Sequence, residues 1–270
     1  MKGIWNLVKE IPLSNILLRN SYQEVLEILE DSNKGILSRK VKVYLMSFIG
    51  WLISLISAAN WVVFPICSTL ILAVNLFLYL KSKNFFKNAA YNLAMFINCQ
   101  TVVIFYIASL EVTENRSLNR GISTIYILIS FLLVFFVAKT KLLETLQVFY
   151  VSNKKNTHKI PIKIVKKISI FITIFIVLLV AGMQFYRLNK WWLRGINSDA
   201  LSGLNGTLFG NIISILAVII GLTLLMLVTL TPTVLLNSKV VVTGLLLRKY
   251  SEEVRFEYDF TEEEWYGEMD

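Results

Sequence analysis

Asn98, Cys99, Gln100 and Thr101 stand consecutively inside NLAMFINCQTVVIFYIASL (92–110), a stretch otherwise apolar enough to cross a lipid bilayer. Amides and hydroxyls placed there are neutral hydrogen-bonding groups. They can bridge helices, border a wet cavity or meet a polar substrate, but they supply no charged nucleophile. Asn75 and Gln184 occupy two further apolar stretches, so Asn75, Asn98, Gln100, Thr101 and Gln184 form one set of candidates for substrate or helix contact. In LVTLTPTVLL (227–236), Pro232 lacks an N–H and frees the carbonyl near Val228, and Thr229 could re-satisfy local backbone groups. Thr229, Thr231 and Pro232 are therefore hinge candidates.

The groups that hydrolytic or metal chemistry requires are missing from those positions. Such chemistry needs a His, carboxylate or Lys cluster with perturbed pKa. His158 is the only histidine and falls in a loop, so one chain cannot build a two-His metal site. Glu252, Glu253 and Arg255 superficially resemble an acidic protease motif but lie in a hydrophilic tail, and no Walker-type glycine loop occurs. Cys67 and Cys99 sit in separate apolar segments near opposite leaflets, with no spacing for a disulfide framework or zinc. The expectation is a non-enzymatic protein with no cofactor and no metal.

What must position the polar set is a membrane bundle. Hydrophobic residues make up 56% of the 270 and charged residues 17%, with a mean hydropathy of +0.63, too apolar for an ordinary soluble domain of this length. Six stretches have the ~17–25 apolar residues that a helix needs to cross a ~30 Å hydrocarbon core: Val43–Ala59, Trp61–Leu80, Leu93–Leu110, Gly121–Ala138, Ile168–Leu188 and Ile212–Leu236. The fold class expected is all-α, a polytopic integral membrane protein with six transmembrane helices and amphipathic cytoplasmic helices. About 40 mixed residues precede the first apolar run, unlike a cleaved leader.

Lysine and arginine orient the bundle, because loops rich in them stay on the cytoplasmic side. Of the 27, 22 fall in residues 1–42, in the loop after span two (Lys81, Lys83, Lys87), in residues 139–167 and in the C-terminal tail. Both termini are expected in the cytoplasm. The net charge of +9 then reflects this asymmetry and attraction to anionic lipid, with no nucleic-acid partner called for. Abundant isoleucine, lysine and asparagine (31, 19 and 19) suggest an AT-rich, bacterial genome.

The parts outside the spans carry helix signals. Ile4, Leu7, Val8 and Ile11 share a face beside Trp5, as in a helix lying on a membrane surface. Ser21 and Glu24 form a capping-box pattern ahead of Tyr22, Val25, Leu26 and Leu29, and Gly35 can end that helix. This N-terminal region, 1–42, serves either as packing beneath the bundle or as a coupling surface. KTKLLETLQVFYV (139–151) extends span four as a cytoplasmic stalk within 139–167, and the fifth loop carries Trp191, Trp192, Gly203, Gly206 and Gly210 as an interfacial or re-entrant cap. The transmembrane domain thus covers 43–236 and an acidic tail 237–270. From Ser251 the tail holds nine acidic residues, and Thr261 to Glu264 is a second capping box beside Trp265 and Tyr266. It either docks on the basic stretch 139–167 or stays solvated.

By depth, at about 1.5 Å per residue, Asn75 and Asn98 lie at a similar level, where an interhelical amide bond would be worth about 0.6–2 kcal/mol. Gln100 points about 200° from Asn98 on a helix, so span three should be central, with neighbours on two sides or one neighbour and a wet cavity. The plainer alternative is that these groups are packing glue and Pro232 a harmless kink. No motif matches a family residue by residue. The six spans, both ends inside and the glycine-bearing fifth loop resemble export permeases that work with a separate ATPase, although the very short first hairpin and long fourth loop fit that architecture poorly. The expected function is a membrane subunit of a bacterial transport or export system, with the lipid bilayer and a cytosolic ATPase or other subunit as partners. The alternatives are self-protection against an extracellular toxin peptide or bacteriocin, and a channel or facilitator lined by Asn75, Asn98 and Gln100.

Overall fold

A computed structural model describes residues 8–55, 62–110, 115–151, 221 and 225–267. The chain divides into two compact units, residues 1–157 with 232–270, and residues 158–231. Span five, Gln184, His158 and the Trp191–Trp192 loop lie outside the described residues, as do residues 212–220 and 222–224 of span six.

The described residues are helical, with no strand among them. In the first unit these are α1 (Leu13–Arg19), α2 (Tyr22–Asn33), α3 (Ile36–Leu55), α4 (Val63–Leu80), α5 (Asn84–Ala108), α6 (Arg116–Leu146), α7 (Ser238–Lys249), α8 (Ser251–Glu257) and α9 (Glu262–Tyr266). A π turn, Gln147–Val151, prolongs α6, and a 3-10 turn, Thr231–Val234, precedes α7.

Among the described residues, three helices are long and apolar enough to cross a membrane: Val63–Leu80, Asn84–Ala108 and Arg116–Val151. Leu225–Val234 and Ser238–Lys249 would make a fourth only if taken as one broken span. The protein is an all-helical membrane protein by this measure. Its surface agrees: α4 buries one stripe, Phe64, Ser68, Leu72, Asn75 and Tyr79, and turns Leu70, Val74 and Leu78 outward. On α6 the buried stripe starts with Asn119, Ser123 and Ser130, whereas Leu132 and Phe135 are about 70% exposed. Polar groups inside and large apolar groups outside suit lipid, not water.

Helix boundaries depart from the apolar runs because backbone hydrogen bonding continues through polar residues when nothing breaks it. The expected loop after span two is only a turn at Lys81–Lys83, and Lys87 already lies inside α5. The helix of span one begins at Ile36 and includes Arg39, Lys40 and Lys42, so it is not among the three span candidates; residues 43–55 reach only about 20 Å, and 56–61 are outside the described residues. The helix of span four does not stop with the apolar run: α6 and its π turn run unbroken to Val151.

α5 is central. It packs against α2, α3, α4, α6, α7 and α9. At one end of it α2 meets the C-terminal helices α7–α9. The Ser21 box forms as its residue types dictate, Ser21 Oγ accepting from the Glu24 N–H at 3.4 Å and Glu24 accepting from the Ser21 N–H at 3.2 Å, and Val25 and Leu29 face inward. Gly35 takes φ +67°, the left-handed conformation that turns the chain into α3. The Thr261 box forms likewise, with Glu264 accepting from the Thr261 N–H at 2.9 Å and Thr261 Oγ1 accepting from the Glu264 N–H at 3.2 Å. Val25, Leu29, Phe85, Leu247, Val254, Phe260 and Trp265 make one core, in which the Trp265 ring stacks 5.2 Å from Phe85 and 5.7 Å from Phe260. The tail from Ser251 is therefore packed rather than free; most of the stretch 139–167, on which docking was the expectation, lies outside the described residues. The tail's ion pairs are internal, Arg255 with Glu252 at 3.0 Å and with Glu262 at 3.7 Å, and its apolar residues seat it on α2 and the head of α5. We call this assembly of α1, α2, the head of α5 and α7–α9 the collar.

Candidate functional site

Within the bundle, Asn98 is fully buried and has its amide satisfied on every side. Its Nδ2 donates to Val43 O at 3.2 Å and to Ser47 Oγ at 2.9 Å, and its Oδ1 accepts from Asn75 Nδ2 at 2.7 Å. Asn75 also donates to Ala94 O at 3.1 Å. One amide pair thus ties α3, α4 and α5 together. Ser47 was missed in the sequence because a lone serine in an apolar run has no signal of its own.

The other candidates separate. Thr101 is buried but donates to Ile97 O of its own helix at 2.8 Å, so it caps a backbone carbonyl and does not extend the cluster. Gln100 is buried on another face of α5, as its angular offset from Asn98 requires. Thr229 donates to Leu225 O at 2.7 Å and Thr231 to Leu227 O at 3.2 Å. These are i−4 carbonyls, so both hydroxyls bond local backbone of the turn before them. Pro232 lies in the 3-10 turn, whose carbonyl accepts from the Leu235 N–H at 3.0 Å.

The collar contains a second polar system, carried by asparagines four residues apart on α5. Asn84 donates to Glu264 O at 3.5 Å. Asn88 donates to Ile28 O at 3.1 Å and accepts from Arg39, which pairs with Asp31 at 3.2 Å. Asn92 accepts from the Asn237 N–H at 2.9 Å and donates to Leu235 O at 3.4 Å. Each asparagine fastens a different segment to one helix. The spacing 84, 88, 92 was visible in the sequence and would have identified the face, had this stretch been read as helix.

Two lysines close the seams. Lys249 Nζ donates to Val8 O, Lys9 O and Ile11 O, each at 3.0 Å, anchoring the N-terminal segment to the end of α7. Lys141 donates to Thr233 O at 3.0 Å and Leu236 O at 2.7 Å, satisfying carbonyls freed at the break before α7. The Tyr150 hydroxyl bonds Asn20 Oδ1 at 3.2 Å and Thr243 Oγ1 at 2.8 Å. Gly244 lets α7 approach α5 closely: a Cβ there would lie 2.5 Å from Ala89 Cβ.

Between α2, α5 and α7 the collar opens into a cleft of about 600 Å³. Glu24, Glu27, Glu30 and Asp31 line it, against Lys34 and Lys239. In the tail, hydrogen bonds from the Thr261 backbone and hydroxyl hold the Glu264 carboxyl below its ordinary range. The Tyr266 hydroxyl and Arg255 do the same for Glu252, while burial and that carboxylate push Tyr266 up. Among the described residues no group of three or more His, Cys, Asp or Glu is placed to hold a metal. Cys67 and Cys99 are free thiols.

The fold and the site define a class, an all-helical membrane protein with a polar-pinned bundle and a collar built from both chain ends. Comparison with protein families, curated proteins and solved structures gives no match.

Proposed function

We propose that this chain is a non-enzymatic membrane subunit of a bacterial transport or export system. In this reading it crosses the cytoplasmic membrane six times, keeps both termini in the cytoplasm and presents the collar to a cytosolic ATPase or other subunit. The observation that carries it is the collar itself. Two distant chain ends are fused by one aromatic core onto the central helix, and the carboxylate-lined cleft of about 600 Å³ opens there, with Asn88 and Asn92 linking it to α5. A rigid connection from a charged surface to the most buried span is what a coupling subunit needs.

The amide cluster supports the same reading over a channel. Asn75 and Asn98 spend their hydrogen bonds on each other, Ser47 and main chain, which leaves them little capacity to coordinate a passing solute.

A photoreactive residue at Glu27, in cells expressing the full chain at native level, should cross-link to a nucleotide-hydrolysing protein. Charge reversal at Glu24, Glu27 and Asp31 together should abolish the product while membrane insertion is kept. Transport by vesicles containing this chain alone would contradict the proposal. Survival of a toxin-sensitive strain expressing only this chain would replace it with the self-protection reading.

A further inference from the structure

A second cleft, of about 390 Å³, lies where α4 turns into α5 beneath α7. Its apolar walls include Leu78 of α4, Leu93 and Ile97 of α5 and Leu245 of α7, and Lys81, Lys83 and Arg248 line it with no carboxylate among its residues. None of these three cations forms an ion pair with a described residue. Each instead lies over a ring: Lys81 Nζ is 4.6 Å from the Phe77 centroid, Lys83 Nζ 5.8 Å from Tyr266 and the Arg248 guanidinium 5.6 Å from Phe86. Three cations gathered around an apolar hollow repel one another, and a phosphate would offset that repulsion.

The cleft is also continuous with the lipid-facing side of the protein. Leu78 belongs both to the cleft and to the exposed apolar face of α4 with Leu70 and Val74. From the end of α4 at Leu80 down to Asn75, a lining residue, is about 7–8 Å of helix, the depth of a headgroup and the first acyl carbons. A soluble phosphate compound would use the cations but leave the apolar walls empty. We propose that this cleft holds one anionic phospholipid, its phosphate on Lys81, Lys83 and Arg248 and its acyl chains against Leu93, Ile97 and Leu245. The inference requires only that α4 and α5 cross a bilayer, and stands whether or not the chain is a transport subunit.

The test is equilibrium lipid binding to the purified, delipidated full chain in neutral detergent, read by native mass spectrometry. Phosphatidylglycerol should bind about tenfold or more tighter than phosphatidylcholine with the same acyl chains. The variant K81Q/K83Q/R248Q should lose that preference without losing phosphatidylcholine binding, and K81R/K83R/R248K should keep it. Should the triple glutamine variant not elute as a folded species, Arg248→Gln alone should weaken phosphatidylglycerol about fivefold. Equal affinity for the two lipids, or a preference that survives both glutamine variants, overturns the proposal. Displacement of phosphatidylglycerol by equimolar inorganic phosphate would overturn the lipid as occupant.

Discussion

Asn98 is the residue on which three helices depend, because a buried amide in an apolar bundle must find partners or be left at a cost of about 1–3 kcal/mol. Asn98→Ala strands Ser47 and removes the acceptor for Asn75. It should destabilise the detergent-solubilised protein by about 1–2 kcal/mol, and a double-mutant cycle with Asn75→Ala should return a coupling of about 0.6–2 kcal/mol in thermal unfolding. Thr101→Val, whose hydroxyl bonds only its own helix, should cost less. Gly35 offers a different control. A Cβ there meets nothing within 4 Å, so Gly35→Ala isolates the strain of a left-handed backbone, about 1–2 kcal/mol, with no steric contribution. The pairing of Asn75 with Asn98 was legible from depth counting alone. Its third partner was not, since register between helices is set by packing that no single segment encodes.

The divergent directions of Asn98 and Gln100 mark α5 as central, yet the polar Asn84, Lys87, Asn88 and Asn92 give its first nine residues the look of a loop. Those asparagines are polar because they fasten the collar. The same limit applied to α7, whose Val241, Val242, Leu246 and Leu247 are buried against the bundle although the stretch looked like the start of a hydrophilic tail. Its seam tests directly. Gly244→Val must push α7 away from Ala89 and Phe86, and a cost of about 1–3 kcal/mol is expected, with increased protease cleavage around residue 250. The short α9 is governed by charge. The Glu264 carboxyl sits below its ordinary value of 4.5 in the folded state, so its stabilisation is complete above about pH 4.5 and is lost as pH falls through the lowered value. Hydrogen exchange of residues 251–267 should accelerate in that acid window, and Glu264→Gln should flatten the response.

At the scale of the whole molecule, the first unit joins residues that are more than 230 positions apart in sequence, with Tyr258 donating to Asn20 O at 2.7 Å and Lys249 reaching Val8, Lys9 and Ile11. Composition announced a membrane protein but was silent on this closure. The capping boxes and Trp265 marked helices without saying what they would pack on. Trp265→Ala should cost about 3–5 kcal/mol and expose α2 to protease, a joint effect that a free tail would not produce.

The account turns on where the collar lies relative to the membrane. Single cysteines replacing Glu27 in α2, Glu253 in α8 and Asn115 at the start of α6, with Cys67 and Cys99 changed to serine, can be probed with a membrane-impermeant maleimide in intact cells. The account predicts labelling at 115 in intact cells and at 27 and 253 only after permeabilisation. Labelling of 27 or 253 in intact cells, or of 27 and 253 on opposite sides, would contradict it.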